Sequence, residues 1–577
     1  MTEKRISHVE GWAVLVFCMT ASAFAIVWSW RNGAMINYGD AIAHLHIARR
    51  VFDSRTPRFS QLGSVWLPLP HILLLPFVQN YSWWASGFAG VVPSALAYVA
   101  SCFGIYRLAR NWLSPAPAAL ALIFFALNPN LLYLQTTAMT EPVFLCEMVW
   151  IVVWLVEWRT ALVNPSESSG SDPLSASSAT IFTVARITRL QVCIAACLVA
   201  AIYTRYDGWI IALIAWSAVG LSWLRHAGRG GRTSLTTLAF WLATIAIAAA
   251  PLLWFVYNSV CFGDWLFFAR GPYSAHAIEL HTATAGGSPL HPGWHSPWVA
   301  LLFYLKVAEL DSVAAPGWGN LCGNVVLALA AAGTAGAWLA EKSRAHAGAL
   351  TWVFLLWIPV PFYAWSVAYG SVPIFFPAWW PFTWYNTRYG LELLPALALG
   401  VGFAAQRVQG AFSRIKLPPL ARLLPKLVFT LLFVLAGLNI FLLLRSGPIV
   451  YVESTKNALA RRPYDNAIPP ALQSLLTLDS HATVLMNTSI YPEIVAFAGI
   501  PLRQTINEGD LGIYSSALAD PSAHASIVIA FEGDVIDAAI KAHQADFTLI
   551  GTYSAKNQPS AAIYASTNWL HRAPDFF

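Results

Sequence analysis

Long apolar stretches limit what this chain can fold into more than any other feature. A helix that crosses a bilayer needs roughly 20 apolar residues. Eleven segments approach that length, near 11–31, 82–106, 114–128, 141–158, 189–203, 208–224, 234–257, 319–340, 350–369, 389–405 and 426–445. Only 11% of the residues are charged, against about 25% in soluble domains. A soluble globular protein is therefore excluded, and a mainly α, polytopic membrane bundle of about eleven spans is expected. The 27 tryptophans suit aromatic belts at the two bilayer interfaces. The net charge of +6 is small for 577 residues. It reads as the basic bias of cytoplasmic loops and not as a nucleic-acid surface. The seven cysteines contain no C-x-x-C pair, so neither a zinc site nor a disulfide framework is implied. Cys261 and Cys322 could pair near one face or be buried as small apolar residues.

Orientation follows from the basic loops. With the first segment an uncleaved signal anchor and the N-terminus cytoplasmic, every second loop is basic. These loops carry Arg107 and Arg110, then Arg159, Arg186 and Arg189, then Arg225, Arg229 and Arg232. Lys342 and Arg344 follow, and the last loop holds Arg407, Arg414, Lys416, Arg422 and Lys426. The first external loop breaks the pattern with Arg49, Arg50, Arg55 and Arg58, which suggests an anionic ligand. Residues 160–188 are expected to be a flexible cytoplasmic linker. The external segment 258–318, including the apolar run Trp298 to Val307, suggests interfacial or re-entrant helices.

Residues 1–446 thus form a transmembrane module, and 447–577 a small extracytoplasmic α/β domain. In the latter, 482–486, 526–531 and 547–551 read as strands, with a helix over 534–543. It has no Gly-rich phosphate loop. Capping the membrane site or holding an acceptor are the roles it could take. No internal repeat of the inverted-transporter kind is apparent.

The unusual polar residues fall on the external side. Asp40, His44 and His46 lie in the stretch 37–58. Glu141 opens the fourth segment in Thr-Ala-Met-Thr-Glu-Pro. Arg205 and Asp207 lie in the turn Tyr-Thr-Arg-Tyr-Asp-Gly-Trp. Asp264 and Arg270 begin the long external segment, with Lys306 further along. Tyr385 and Arg388 lie in Trp-Tyr-Asn-Thr-Arg-Tyr-Gly. Each has an ordinary alternative. Asp40 and Glu141 could cap helices, Arg205 and Asp207 could form a local salt bridge, and Arg388 could anchor a helix at the interface. Asp40 and His44 are four apart and share a helix face. That spacing suits a metal pair or a base with an orienting partner, and equally an interfacial histidine bonded to backbone or water. Ionisable residues at membrane depth are costly, so their convergence on one face favours function.

Carboxylates and arginines at the lipid boundary suit a lipid-linked phosphate. Arginine binds phosphate bidentately, and a carboxylate can take the proton of an acceptor hydroxyl. Here the chain resembles the GT-C fold membrane glycosyltransferases, the family-39-like group of protein O-mannosyltransferases and the lipid A aminoarabinose transferase. The resemblance rests on Tyr38-Gly39-Asp40 through Arg49-Arg50, Thr140-Glu141-Pro142, Arg205-Tyr206-Asp207-Gly208, and Thr387-Arg388-Tyr389 with Leu394-Pro395. It covers roughly residues 8–445.

The resemblance implies a polyprenyl- or dolichyl-phosphate sugar donor, inversion at the anomeric carbon and an acceptor hydroxyl on a lipid, glycan or protein. It implies Asp40 as general base. Members often carry two adjacent acids in the first loop, whereas Ala41 follows Asp40 here. Either Asp40 acts alone or Glu141 supplies the second carboxylate. Arg205 and Arg388, with Lys306 and Arg270, are candidates for the donor phosphate. His44, Trp66, His71, Asp207 and Tyr385 are candidates for the substrate, Trp66 by stacking on a sugar and His71 by bonding a hydroxyl. The resemblance fixes no cofactor. A divalent Mg or Mn ion at Asp40 and His44 stays open. A bacterial inner membrane suits the chain. The competing readings are a transporter or flippase of a lipid-linked saccharide and a non-catalytic scaffold. The first calls for polar residues in mid-span or broken helices in symmetric positions.

Overall fold

The computed structural model describes residues 6–163, 173–225, 233–286, 290–314, 319–342, 348–414, 423–489 and 491–572. The first helix, α1 (His8–Arg31), starts at a capping box. Glu10 N donates to Ser7 Oγ at 3.1 Å, and Ser7 N donates to the Glu10 carboxylate. A 12-residue helix, α2 (Gly39–Arg50), follows and is too short to span. The bundle continues with α3 (Phe88–Arg110), α4 (Pro115–Ala126), α5 (Glu141–Val163), α6 (Pro173–Thr204), α7 (Asp207–Arg225) and α8 (Ser234–Phe262). Next come α9 (Pro297–Ser312), α10 (Gly319–Lys342) and α11 (Pro359–Tyr369), then α12 (Leu394–Arg414), α13 (Leu424–Ser446) and α14 (Ile449–Leu476). Short 3-10 turns, Leu350–Trp357 and Thr387–Leu393, lead into α11 and α12.

Nine helical segments among the described residues are long and apolar enough to cross a membrane. Two of the eleven expected spans fall short of that standard. Helix α4 has only 12 residues. Helix α5 has 23, but it carries Glu141, Glu147, Glu157 and Arg159. The protein core explains why those charges are tolerated. Trp158, Phe144 and Val153 of α5 are fully buried, Glu157 pairs with Arg107 at 2.6 Å, and Glu147 accepts a hydrogen bond from Thr204 Oγ1 at 2.8 Å.

Two further expectations change. Residues 173–188 of the expected linker belong to α6, while 164–172 lie outside the described residues. Helix α9 leaves Trp298 and Leu302 exposed along one side. Tyr304, Val307 and Ala308 bury the other against α11 and the turn 387–393. The arginines of the first loop also find protein partners. Arg49 pairs with Asp53 at 2.7 Å. Arg50 lies 3.7 Å from Glu508, and Arg55 donates to Thr505 O at 3.1 Å and Thr483 Oγ1 at 2.8 Å. Arg58 is exposed. Two of the four arginines that broke the orientation rule, Arg50 and Arg55, therefore hold the C-terminal region.

That region contains β1 (Val484–Met486), β2 (Thr505–Ile506), β3 (Ile527–Phe531), β4 (Phe547–Tyr553) and β5 (Ala561–Ser566), in the order β2-β1-β3-β5-β4. The β1 strand pairs parallel with β2 and β3. The β5 strand pairs antiparallel with β3 and β4. A helix, α15 (Val535–Ala542), is capped by Asp534 Oδ1 on Asp537 N at 2.7 Å. The period-2 alternation of β3 divides its residues between two cores. Ile527, Ile529 and Phe531 join the core continuous with the helical bundle, and Val528 and Ala530 face a second, smaller one. The sheet is thus built onto the bundle.

Helices α10 and α12 cross at two glycines. A Cβ on Gly400 would lie 2.4 Å from Ala330 O, and one on Gly333 would lie 2.3 Å from Gly400 O. Small residues let helix backbones approach this closely in membranes. Gly400→Leu should therefore cost about 1–3 kcal/mol or more, read as a lower melting temperature in detergent. An unchanged melting temperature would show that the crossing is not close.

Candidate active site

The site is assembled from chain turns at one end of the bundle. Asp40 lies in the first turn of α2, Glu141 in the first turn of α5, and Arg205 in the turn between α6 and α7. Arg388 is the second residue of the 3-10 turn entering α12. These positions are more than 60 residues apart in sequence, yet they form one ion-pair network. Arg388 Nη2 donates to Asp40 Oδ2 at 2.8 Å, and Arg388 Nε donates to Glu141 Oε1 at 3.0 Å. The same Glu141 oxygen accepts from Arg205 Nη1 at 3.2 Å. The ring of Tyr389 lies 4.9 Å from the Arg388 guanidinium and 5.1 Å from that of Arg205, as a cation–π partner of both.

Arg205 is saturated. Its Nη1 also donates to Thr140 Oγ1 at 3.1 Å, and its Nη2 donates to Tyr363 Oη at 2.6 Å. Glu392 lies 2.9 Å from Nη2, and Asp207 lies 3.5 Å from Nε. Arg388 is less fully engaged, since its Nη1 has only Glu453 at 3.5 Å. Five carboxylates thus surround two guanidinium groups. Four of them are buried, and the Asp40 side chain alone is open, at 44% exposure against 1% for Glu141.

Three of these groups escaped the sequence reading. Glu392 follows Arg388 by four residues in an otherwise apolar stretch, a spacing that marks one helix face. Glu453 is a lone acid just after the last apolar segment. Tyr363 carried no signal that separates it from the other aromatics.

The other expected site residues take various places. His44 and His71 form a buried pair, with Nδ1 of His44 2.8 Å from Nε2 of His71. The half-buried Trp66 ring lies 4.4 Å from that of His44. Asp40 and His44, one turn apart, therefore have different partners. Tyr385 is half exposed, and its backbone bridges to Phe375. Lys306 pairs with Glu309 at 2.8 Å, outside the network. Arg270 is exposed, 3.9 Å from Asp264. The pairing of Asp40 with His44 that a divalent ion would use is not formed here. Asp40 and Glu141 are already engaged by guanidinium groups, and among the described residues no group of three or more His, Cys, Asp or Glu could hold a metal. No step below runs through one.

An open apolar groove of about 560 Å³ is lined by Leu305, Leu327, Trp357 and Pro361 among others. Tyr304, next to Leu305, stacks on Tyr363 at 4.8 Å, and Tyr363 bonds Arg205.

Burial, and then the charges of Arg388 and Arg205, push His44 down to about 3. Burial does the same to His46. A histidine held neutral in the folded state costs stability once pH falls below its unfolded value, near 6.5. The loss grows by about 1.4 kcal/mol per pH unit per histidine until the folded value is reached. The melting temperature should therefore fall between pH 6.5 and 4, less steeply in His46→Gln than in the wild type. Parallel curves would contradict the burial of His46.

No family model and no curated sequence matches the chain. Solved structures do. ArnT from Cupriavidus metallidurans bound to undecaprenyl phosphate aligns at TM-score 0.50 and 15% identity, over 94% of this chain and 97% of that one. Its apo state gives 0.48 and 15%, over 96% and 98%. The archaeal oligosaccharyltransferase AglB from Archaeoglobus fulgidus, in complex with an inhibitory peptide and a dolichol-phosphate, gives 0.44 and 12%, over 97% and 74%. At these identities what is shared with ArnT is the fold, and this chain has the GT-C fold that its sequence motifs suggested.

Proposed function

We propose that this protein is an integral-membrane glycosyltransferase that moves a sugar from a polyprenyl phosphate to an acceptor hydroxyl. The observation that carries this reading is the pairing of one open carboxylate, Asp40, with a buried arginine, Arg388, at one end of an apolar bundle. The open apolar groove lined by Leu305, Leu327 and Trp357 has the chemistry to suit a polyprenyl tail. The undecaprenyl phosphate in the ArnT structure and the dolichol-phosphate in the AglB structure are of the same chemical class.

The geometry suggests how the cycle starts. Carboxylates outnumber guanidinium groups, so an incoming phosphate meets no free positive charge and must exchange with a carboxylate. Asp40 is the one that can leave, because the other four are buried. Donor binding then transfers Arg388 Nη2 from Asp40 to the phosphate and frees Asp40 beside the sugar. The acceptor oxygen attacks the anomeric carbon, its proton passes to Asp40, and the bond to the phosphate oxygen breaks. The electron pair leaves with the polyprenyl phosphate, whose growing negative charge Arg388 stabilises. Glu141 stays between the two arginines and orients them. Arg205, with its donors occupied, holds the frame. Attack opposite the leaving phosphate inverts the anomeric centre. In this reading the site faces the extracytoplasmic side, most simply of a bacterial inner membrane, with the N-terminus cytoplasmic. The acceptor is a lipid, glycan or protein hydroxyl.

Purified protein in detergent should consume one member of a panel of radiolabelled polyprenyl-phosphate sugars, with water as a slow acceptor. The structure gives α2 no side-chain cap, its N-cap being Tyr38, so Asp40→Asn tests the base: it keeps the size of the residue but cannot accept a proton. It should lower turnover by about 10²–10⁴-fold. Arg388→Lys keeps the charge and loses the fork, so it should lower turnover and weaken donor binding together. An active Asp40→Asn would exclude Asp40 as the base and leave it only as a partner of Arg388. A donor bound tightly but never consumed would favour the transporter of a lipid-linked saccharide.

A further inference from the structure

We propose that Glu453 is a positioning residue that aims Arg388, and that α14 is thereby part of the active site. The catalytic consequence rests on the glycosyl-transfer reading. The geometry does not. The turn Thr387–Leu393 begins with backbone N–H groups that need acceptors. The residue before it, Asn386, has φ 54°, a left-handed conformation. Its side chain is directed elsewhere, with Nδ2 donating to Pro373 O at 2.8 Å. The cap comes from α14. Glu453 Oε1 accepts from Asn386 N at 3.0 Å, and Oε2 accepts from Thr387 N at 2.8 Å and Thr387 Oγ1 at 2.6 Å. A carboxylate at a helix N-terminus both satisfies the donors and complements the dipole. The next residue is Arg388.

The same helix grips the strand of chain that carries Asp40. Arg461, two turns beyond Glu453, donates from Nη2 to Ile36 O at 3.2 Å and Asn37 O at 3.0 Å. Tyr38 Oη donates to Val450 O at 3.0 Å. Asp40 follows two residues later. Lys456, one turn from Glu453, donates to Thr383 Oγ1 and Trp384 O. One helix therefore holds both partners of the Asp40–Arg388 pair and fixes their separation. A displacement of about 1 Å in such a group can cost on the order of 100-fold in rate.

Glu453→Gln keeps the size and one acceptor oxygen but loses the charge and the second oxygen. Hydrogen exchange of the peptide 383–393 should accelerate by about 10-fold, while 394–411 stays as in the wild type. Turnover of the polyprenyl-phosphate sugar should fall by about 10-fold or more, with the donor KM shifted less than about threefold. The split arises because the phosphate charge that Arg388 meets is larger in the transition state. Thr387→Val removes one bond of the same set and should show both effects at about threefold. It carries the test if Glu453→Gln does not fold. The double variant should be no worse than Glu453→Gln alone. Unchanged exchange would overturn the brace. Faster exchange with unchanged turnover would make Glu453 merely structural. If the wild type consumes no donor, the glycosyl-transfer reading fails by itself, and the exchange result still decides the brace.

Discussion

Arg388 is shared by carboxylates from three distant parts of the chain, and the geometry of the site depends on that sharing. Asp40 comes from the first loop, Glu141 from the start of α5, and Glu453 from the helix after the last apolar segment. A buried guanidinium is costly unless it is paired and hydrogen-bonded, and removing one partner of a buried pair typically costs about 3–5 kcal/mol. Folding therefore brings these segments together as a set. Arg205 does the same for Glu141, Asp207 and Glu392. Because Glu141 Oε1 bonds both arginines, the two sets are one unit.

The network also explains how a site rich in carboxylates could accept an anion. Its five acids differ sharply in access to water, and only Asp40 is open. In the proposed cycle, exchange at Arg388 couples donor capture to release of the base. A base that stays masked until the phosphate arrives would limit proton abstraction without a donor. The C-terminal region supports this arrangement from outside. It is held by Arg50 and Arg55 of the first loop, by Thr56 on Asp510 and by Gln61 on Gly509, and it returns Glu453 and Arg461 to the site.

Much of this was legible in the sequence, for identifiable reasons. Apolar runs of spanning length announce helices without tertiary information, and the short apolar run of β3 announces a buried strand in the same way. The set Asp40, Glu141, Arg205, Asp207 and Arg388 could be singled out because charged residues are scarce in such a chain. Contacts set by tertiary packing could not be read. The arginines of the first loop looked like ligands because the docked sheet was invisible. Helix α5 looked like an ordinary span because its burial among α3 and α6 does not show in hydropathy. Glu453 stood beyond the expected boundary at 446, so a break in composition hid a residue that packs into the site. The strands β2 and β5 are short or rich in alanine and gave little periodic signal.

The most direct test is a structure of the protein in lipid nanodiscs with undecaprenyl phosphate, reading the Asp40–Arg388 distance with and without the lipid. The expected result is a phosphate oxygen within hydrogen-bond distance of Arg388 and an Asp40 carboxylate that has left its 2.8 Å contact, with Glu141 and Glu453 in place. A phosphate bound elsewhere, with the Asp40–Arg388 pair intact, would contradict the exchange that the proposed mechanism requires.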